Sequence, residues 1–253
     1  MRNEEVASWI ERFVASYGAG RLAKWWRKPL FAVASASDPL FNFFKKLHGF
    51  AEPRELVEGA RSVIVVFLPF AKWVVVSNES PGPASREWAR AYLEANRLLQ
   101  RMGEGLAKWL RRGGFKSTSI PPTGGFSLEE FKAEWSHRHA AYIAGLGTFG
   151  VHGLLITEQG CCGRLTSLIT QAPLQPGRRL SELCLHKAGE DCLKCVERCA
   201  WSALTPRGLD KEKCYEVCLA NAKRYEDLDY PDVCGKCACG VPCSLRSPLK
   251  QGF

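Results

Sequence analysis

No run in this chain approaches the roughly 18 consecutive apolar residues that a membrane-spanning helix requires. The first ten residues, Met1 to Ile10, carry charges where a secretory leader needs an apolar stretch. Internal repeats and low-complexity tracts are both missing, so solenoid and disordered classes drop out. No G-x-G-x-x-G follows a strand-like run, which argues against a Rossmann dinucleotide site. These absences leave a globular protein of the reducing cytoplasm as the expectation, with no membrane partner. Its 253 residues allow one large or two modest domains. A hydrophobic share of 46%, with eight Trp, is enough to fill a core.

What is abundant is cysteine, and it is concentrated. Ten of the twelve cysteines lie between Cys184 and Cys243. Thiols at such short spacing serve disulfides, zinc or iron–sulfur clusters. Two-cluster ferredoxins use C-x2-C-x2-C-x3-C, with the fourth cysteine crossing to the other cluster. Cys192, Cys195 and Cys199 reproduce the last three members of that run. Gly189 stands where the first would be, and Cys184 is its nearest replacement. Cys214, Cys234, Cys237 and Cys243 complete eight thiols, enough for two [4Fe–4S] clusters. The crossing rule groups Cys184, Cys192, Cys195 and Cys243 on one cluster, and Cys199, Cys214, Cys234 and Cys237 on the other. Cys218 and Cys239 are surplus, either able to displace a named ligand, and Cys161-Cys162 falls outside the pattern as a buried pair.

Two alternatives stand beside this. Cys192/Cys195 with Cys234/Cys237 form two C-x2-C knuckles, which zinc also favours. A disulfide framework suits short secreted chains, and this chain is not short. The net charge of +9 divides unevenly, with +7 on residues 1–176 and +2 on residues 177–253. A basic excess on the first part suits a phosphorylated cofactor, an acidic redox partner or nucleic acid, or is simply a solvated face.

Periodicity predicts helices over residues 3–28, 38–48 and 85–112, the second capped by Asp38 with Pro39 at its first position. Residues 61–69 read as a buried strand, 72–77 as a further strand, and 116–120 as an edge strand. Residues 153–157 and 165–170 read as two strands joined through Glu158-Gln-Gly160. Helices around a small sheet give an α/β or α+β fold. Between Trp135 and Gly150 a helix runs into a turn with Gly145, Gly147 and Gly150. Glycines there permit close backbone approach to a flat or phosphorylated ligand, although a helix C-cap also uses Gly. His137 and His139 are two apart, so they do not share a helix face as a metal pair.

Ala144-Gly-Leu-Gly-Thr-Phe-Gly150, followed by Leu154-Leu-Ile-Thr-Glu-Gln-Gly160, resembles the core motif of epoxyqueuosine reductase-like iron–sulfur proteins. Cys192 to Cys199, Asp210 to Cys214 and Cys234 to Cys243 resemble that family's double-cluster domain. The likeness runs over residues 60–250 and is greatest to short, largely uncharacterised members; reductive dehalogenases share the plan. It implies a cobalamin-binding-type α/β domain over residues 1–176 and a ferredoxin-like double [4Fe–4S] domain over residues 177–253. It further implies a low-potential donor such as ferredoxin or flavodoxin, with electrons passing through the clusters to cobalt. The substrate would be a small molecule or RNA. Gly145, Gly147, Thr148, Phe149 and Gly150 would face the corrinoid. No Asp-x-His-x-x-Gly occurs, so the corrinoid would be base-off without a protein His on cobalt. The register puts Phe131 where the family's enzymes have a catalytic Asp, and Phe cannot deliver a proton. Glu134, His137, His139 and Tyr142 are the candidates to replace it. Ala200 stands where a Pro usually follows the cluster run. An electron carrier without corrinoid and a zinc-stabilised nucleic-acid module are the other classes that these residues allow.

Overall fold

The computed structural model describes residues 1–17, 24–123, 126–127 and 132–249. Phe131 lies outside them. In chain order the elements are α1 (Asn3–Tyr17), β1 (Leu30–Ser35), α2 (Pro39–His48), α3 (Pro53–Leu56), β2 (Ser62–Pro69), α4 (Lys72–Ser77) and α5 (Arg86–Arg112). Then come β3 (Ser117–Ile120), β4 (Phe126–Ser127), β5 (Lys132–Ala133), α6 (His137–Ile143), β6 (Thr148–Phe149), β7 (Leu155–Ile156) and β8 (Gly163–Thr170). The cysteine-rich part adds α7 (Lys194–Glu197), β9 (Leu204–Thr205), β10 (Gly208–Leu209), α8 (Lys211–Arg224) and two 3-10 turns, Glu226–Leu228 and Lys236–Ala238.

The centre is a four-stranded sheet in the order β1-β2-β8-β3, antiparallel throughout. Every residue of β2 is buried, because both faces of the sheet are covered. Ile64, Val66 and Leu68 point into a core shared with α1, α4 and α5, while Val63, Val65 and Phe67 point into one shared with α2 and α6. This mixed α and β architecture with a small antiparallel sheet agrees with the α+β reading. The long helix α5 reaches β3 closely through Gly103, where a Cβ would meet Ser119 Oγ at 2.1 Å.

Three expectations are corrected. The first helix ends at Tyr17, and residues 24–26 form a turn whose Trp26 bridges to Phe70. Residues 72–77 are helical: adjacent Val74 and Val75 are both fully buried, which one helical turn allows and a strand, with its alternating faces, does not. Residues 155–156 pair with β6, not with β8, which joins the main sheet.

The irregular segment after β8 re-enters the larger core at Leu183 and Cys184, which also takes in Ala238 and Cys239. The expected boundary at residue 176 therefore falls in this segment, and the cysteine-rich part packs tightly onto the sheet-bearing part. Asn78, fully buried, is the joint. Its Nδ2 donates to Cys234 O at 3.0 Å and Cys239 Sγ at 3.5 Å, and its Oδ1 accepts from Ser85 N at 2.9 Å. Lys236 Nζ donates back to Asn78 O and Ser80 O. Asn78→Leu strands a buried carbonyl and a buried N–H, each costing about 1–3 kcal/mol. A loss of about 2–4 kcal/mol in urea unfolding of the metal-loaded protein is expected; an unchanged midpoint would remove Asn78 as the joint.

Candidate metal centres

Cys184, Cys192, Cys195 and Cys243 converge on one hollow, walled by Ile156 and Val241 and completed by Gly150 and His152. α7 delivers Cys195, which is buried and packs with Leu204 and Val241. Burial, then the charges of Cys243, Cys184 and Cys192, push the Cys195 thiol up to about 11. Cys199, Cys214, Cys234 and Cys237 form the second set. Burial raises Cys237 well above an ordinary thiol, and the charges of Cys234, Cys161, Cys214 and Cys199 add to it. Burial, with Cys214 and Cys199, likewise lifts Cys234 to about 11. Leu204 N donates to Cys199 Sγ at 3.4 Å. Thiols that repel one another's charge this way become thiolates together only when a cation compensates them.

The spacing discriminates between metals. Zinc holds sulfurs about 2.3 Å from one ion, so four would lie well under 4.8 Å apart. Among the described residues, a single group of three His, Cys, Asp or Glu donor atoms closes to within 4.8 Å: His152, Cys161 and Cys243. Neither set of four thiols does so, nor do the two C-x2-C knuckles together. Thiols held further apart suit a cube in which each binds a different iron.

The surplus cysteines are not remote. Cys161, Cys162 and Cys239 are all buried, and Cys162 Sγ donates to Ala238 O at 3.1 Å. Cys218 lies against Cys214, which raises the Cys218 thiol.

The glycine turn does something other than expected. Gly145 caps α6 with a left-handed φ of 75°, and a Cβ there would meet Arg178 O at 1.9 Å. A Cβ on Gly147 would meet Ile156 O at 2.2 Å, and one on Gly150 would meet His152 Cε1 at 2.5 Å. The bare edges of these glycines are filled by the protein itself, so they offer no cradle to a macrocycle. Thr148 Oγ1 donates to Glu182 Oε1 and accepts from Leu183 N, while Glu182 Oε1 accepts from Cys184 N. The turn thus props the approach to Cys184.

The candidate proton donors separate. Glu134 is exposed. His137 is held on both nitrogens: Nε2 donates to Pro121 O at 2.9 Å, and Nδ1 accepts from Ser167 Oγ at 2.8 Å. Burial lowers its pKa to about 4. His139 and Tyr142 meet Phe149 in a half-buried aromatic group with Phe44 and Phe50. Burial, then His48, lowers His139 to about 4. Sequence reasoning missed Phe44, His48 and Phe50; the i, i+4 spacing of Phe44 and His48 on α2 was the available signal.

The sequence matches no family model and no curated protein. In structure it resembles epoxyqueuosine reductases and reductive dehalogenases. A selenomethionine-labelled epoxyqueuosine reductase superposes with a TM-score of 0.61 at 17% identity, over 99% of this chain and 68% of that one. The epoxyqueuosine reductase of Streptococcus thermophilus gives 0.58 at 16%, over 96% and 68%. A reductive dehalogenase described with B12-dependent dehalogenation gives 0.58 at 18%, over 82% and 29%. The mixed α and β architecture with its small antiparallel sheet matches the fold of these proteins.

The two desolvated imidazoles, His137 and His139, fix a pH dependence. Their folded pKa near 4 lies below the value of about 6.5 for an unfolded His. Between those values the unfolded chain binds more protons, so stability falls as pH drops from about 6.5 towards about 4. His137→Gln should flatten that part of the stability–pH curve. An unchanged slope would mean that His137 is not held neutral.

Proposed function

We propose that this chain is a cytoplasmic iron–sulfur redox protein that holds two [4Fe–4S] clusters and passes electrons through them for a reductive reaction. One observation carries the reading: Cys184, Cys192, Cys195 and Cys243 line one hollow without closing to within 4.8 Å of one another, as ligands of a single zinc ion would. Cys184, Cys192, Cys195 and Cys243 hold the first cluster; Cys199, Cys214, Cys234 and Cys237 hold the second. The residues fit these groups in donor chemistry and in burial. Leu204 and Val241, with Val151 and Val196 beside them, pack among thiols of both sets. They exclude water from the space between the clusters and keep the two close, which one-electron transfer requires. The double-cluster part is residues 177–253. A low-potential donor such as ferredoxin or flavodoxin, carrying acidic charge, suits the basic first part.

The acceptor in this reading is a base-off corrinoid on residues 1–176, supported by the B12-dependent neighbour's fold. When bound, a corrinoid supplies reducing power at cobalt. The glycine edges do not fit it, so no step is assigned through it. The aromatic group of Phe44, Phe50, His139, Tyr142 and Phe149 is the broad apolar surface that remains for a flat ligand. No helix of the described residues is long and apolar enough to cross a membrane.

Anaerobic preparation should give close to eight irons and eight acid-labile sulfides per chain, from the eight-thiol count. Cys195→Ala should halve that figure, while Cys218→Ser and Cys239→Ser should leave it unchanged. Stoichiometric zinc with negligible iron would sink the reading. Titrating cobalamin into the cluster-loaded protein separates the reductase from an electron carrier. Base-off Co(II) EPR without nitrogen superhyperfine splitting supports the corrinoid; no binding at tens of micromolar leaves the carrier.

A further inference from the structure

His152 is buried, and nothing in the electron path just described uses it. Its ring is fixed by the backbone. Leu154 N donates to His152 Nδ1 at 3.1 Å, so Nδ1 carries a lone pair and the proton of the neutral ring is on Nε2. Nε2 in turn lies 3.5 Å from Cys243 Sγ. The N–H therefore points at the sulfur of a first-cluster ligand. Space for the ring exists because residue 150 is glycine: a Cβ there would come within 2.5 Å of Cε1 and 3.1 Å of Nε2. Gly150 does not have a left-handed backbone, and the three atoms nearest its bare edge all belong to the His152 ring.

We propose that His152 is a positioning residue that donates an N–H···S hydrogen bond to Cys243 and thereby raises the reduction potential of the first cluster above what the thiolates alone would give. The inference rests on the two-cluster reading. Reduction adds one electron to the cluster and its thiolates. A donor aimed at one of those sulfurs stabilises the added negative charge, and in a buried site that stabilisation is weakly screened. The second set lacks such a ring among the described residues: the nitrogen that meets Cys199 there is the backbone N–H of Leu204. The two clusters would then differ in potential by design, with the first the more easily reduced. Gly150, in the turn expected to face a macrocycle, acts here on a metal centre through the ring it admits.

The test uses the full chain, purified anaerobically and iron-loaded, with 15N-labelled histidine. Pulsed EPR of the reduced first cluster should show a weak 15N coupling, as a hydrogen-bonded imidazole gives. His152→Leu should abolish that coupling and lower the first cluster's midpoint potential in an EPR-monitored redox titration. It should leave the second cluster's potential and the total iron unchanged. Gly150→Ala, which forces the ring off the sulfur, should lower the same potential. His152→Gln, which keeps an N–H donor, should return it towards wild type. Absence of any 15N coupling in the wild-type protein, or a strong one showing that His152 ligates iron, overturns the proposal. So does an unshifted first-cluster potential in iron-replete His152→Leu. Wild-type protein that binds no iron overturns the two-cluster reading itself, and this inference with it.

Discussion

Four mutually repelling thiols brought to one place is the constraint on which the rest of this structure depends. Burial and neighbouring thiols raise Cys195 and Cys234, so ionising them in place carries a cost. A cluster converts that cost into a folding contribution. The need is greatest in the cysteine-rich part, whose own small core is Cys195, Leu204 and Val241. Apart from α8 its elements are short, and it leans on the sheet-bearing part through Asn78, Lys236 and Asn221, each a buried polar group with its partners in place. Metal binding at these thiols would therefore be coupled to docking between the two parts.

The glycine turn gains a physical meaning from this coupling. Gly145 lets the chain leave α6 against Arg178, Thr148 ties the turn to Glu182 and Leu183 just before Cys184, and Gly150 admits the ring that touches Cys243. Two positions of this short motif, Thr148 and Gly150, bear on the segment before Cys184 and on Cys243. The motif links the sheet-bearing part to the segment that carries Cys184.

Much of this was legible in the sequence because strong local signals decided it. Asp38-Pro39 at the start of α2 and Ser85 at the start of α5 are caps whose side chains accept the expected backbone bonds. Cys184, Cys192, Cys195 and Cys243, which the crossing rule puts together, line one hollow. What failed was context. Residues 72–77 are β-branched, and only their packing under α5 makes them helical. β1 went unseen because Leu30-Phe-Ala-Val-Ala-Ser is alanine-rich and half-buried, and β2 supplies its register. The roles of His152 and of Phe44, His48 and Phe50 were hidden because each depends on partners distant in sequence.

The account's central claim is the grouping of eight thiols around two four-iron centres. Diffraction from anaerobically reconstituted crystals at the iron absorption edge tests it most directly. The account predicts two compact anomalous peaks, one bounded by Cys184, Cys192, Cys195 and Cys243 and the other by Cys199, Cys214, Cys234 and Cys237. A single peak joining Cys192 and Cys195 to Cys234 and Cys237, or a signal at the zinc edge in place of iron, would contradict it.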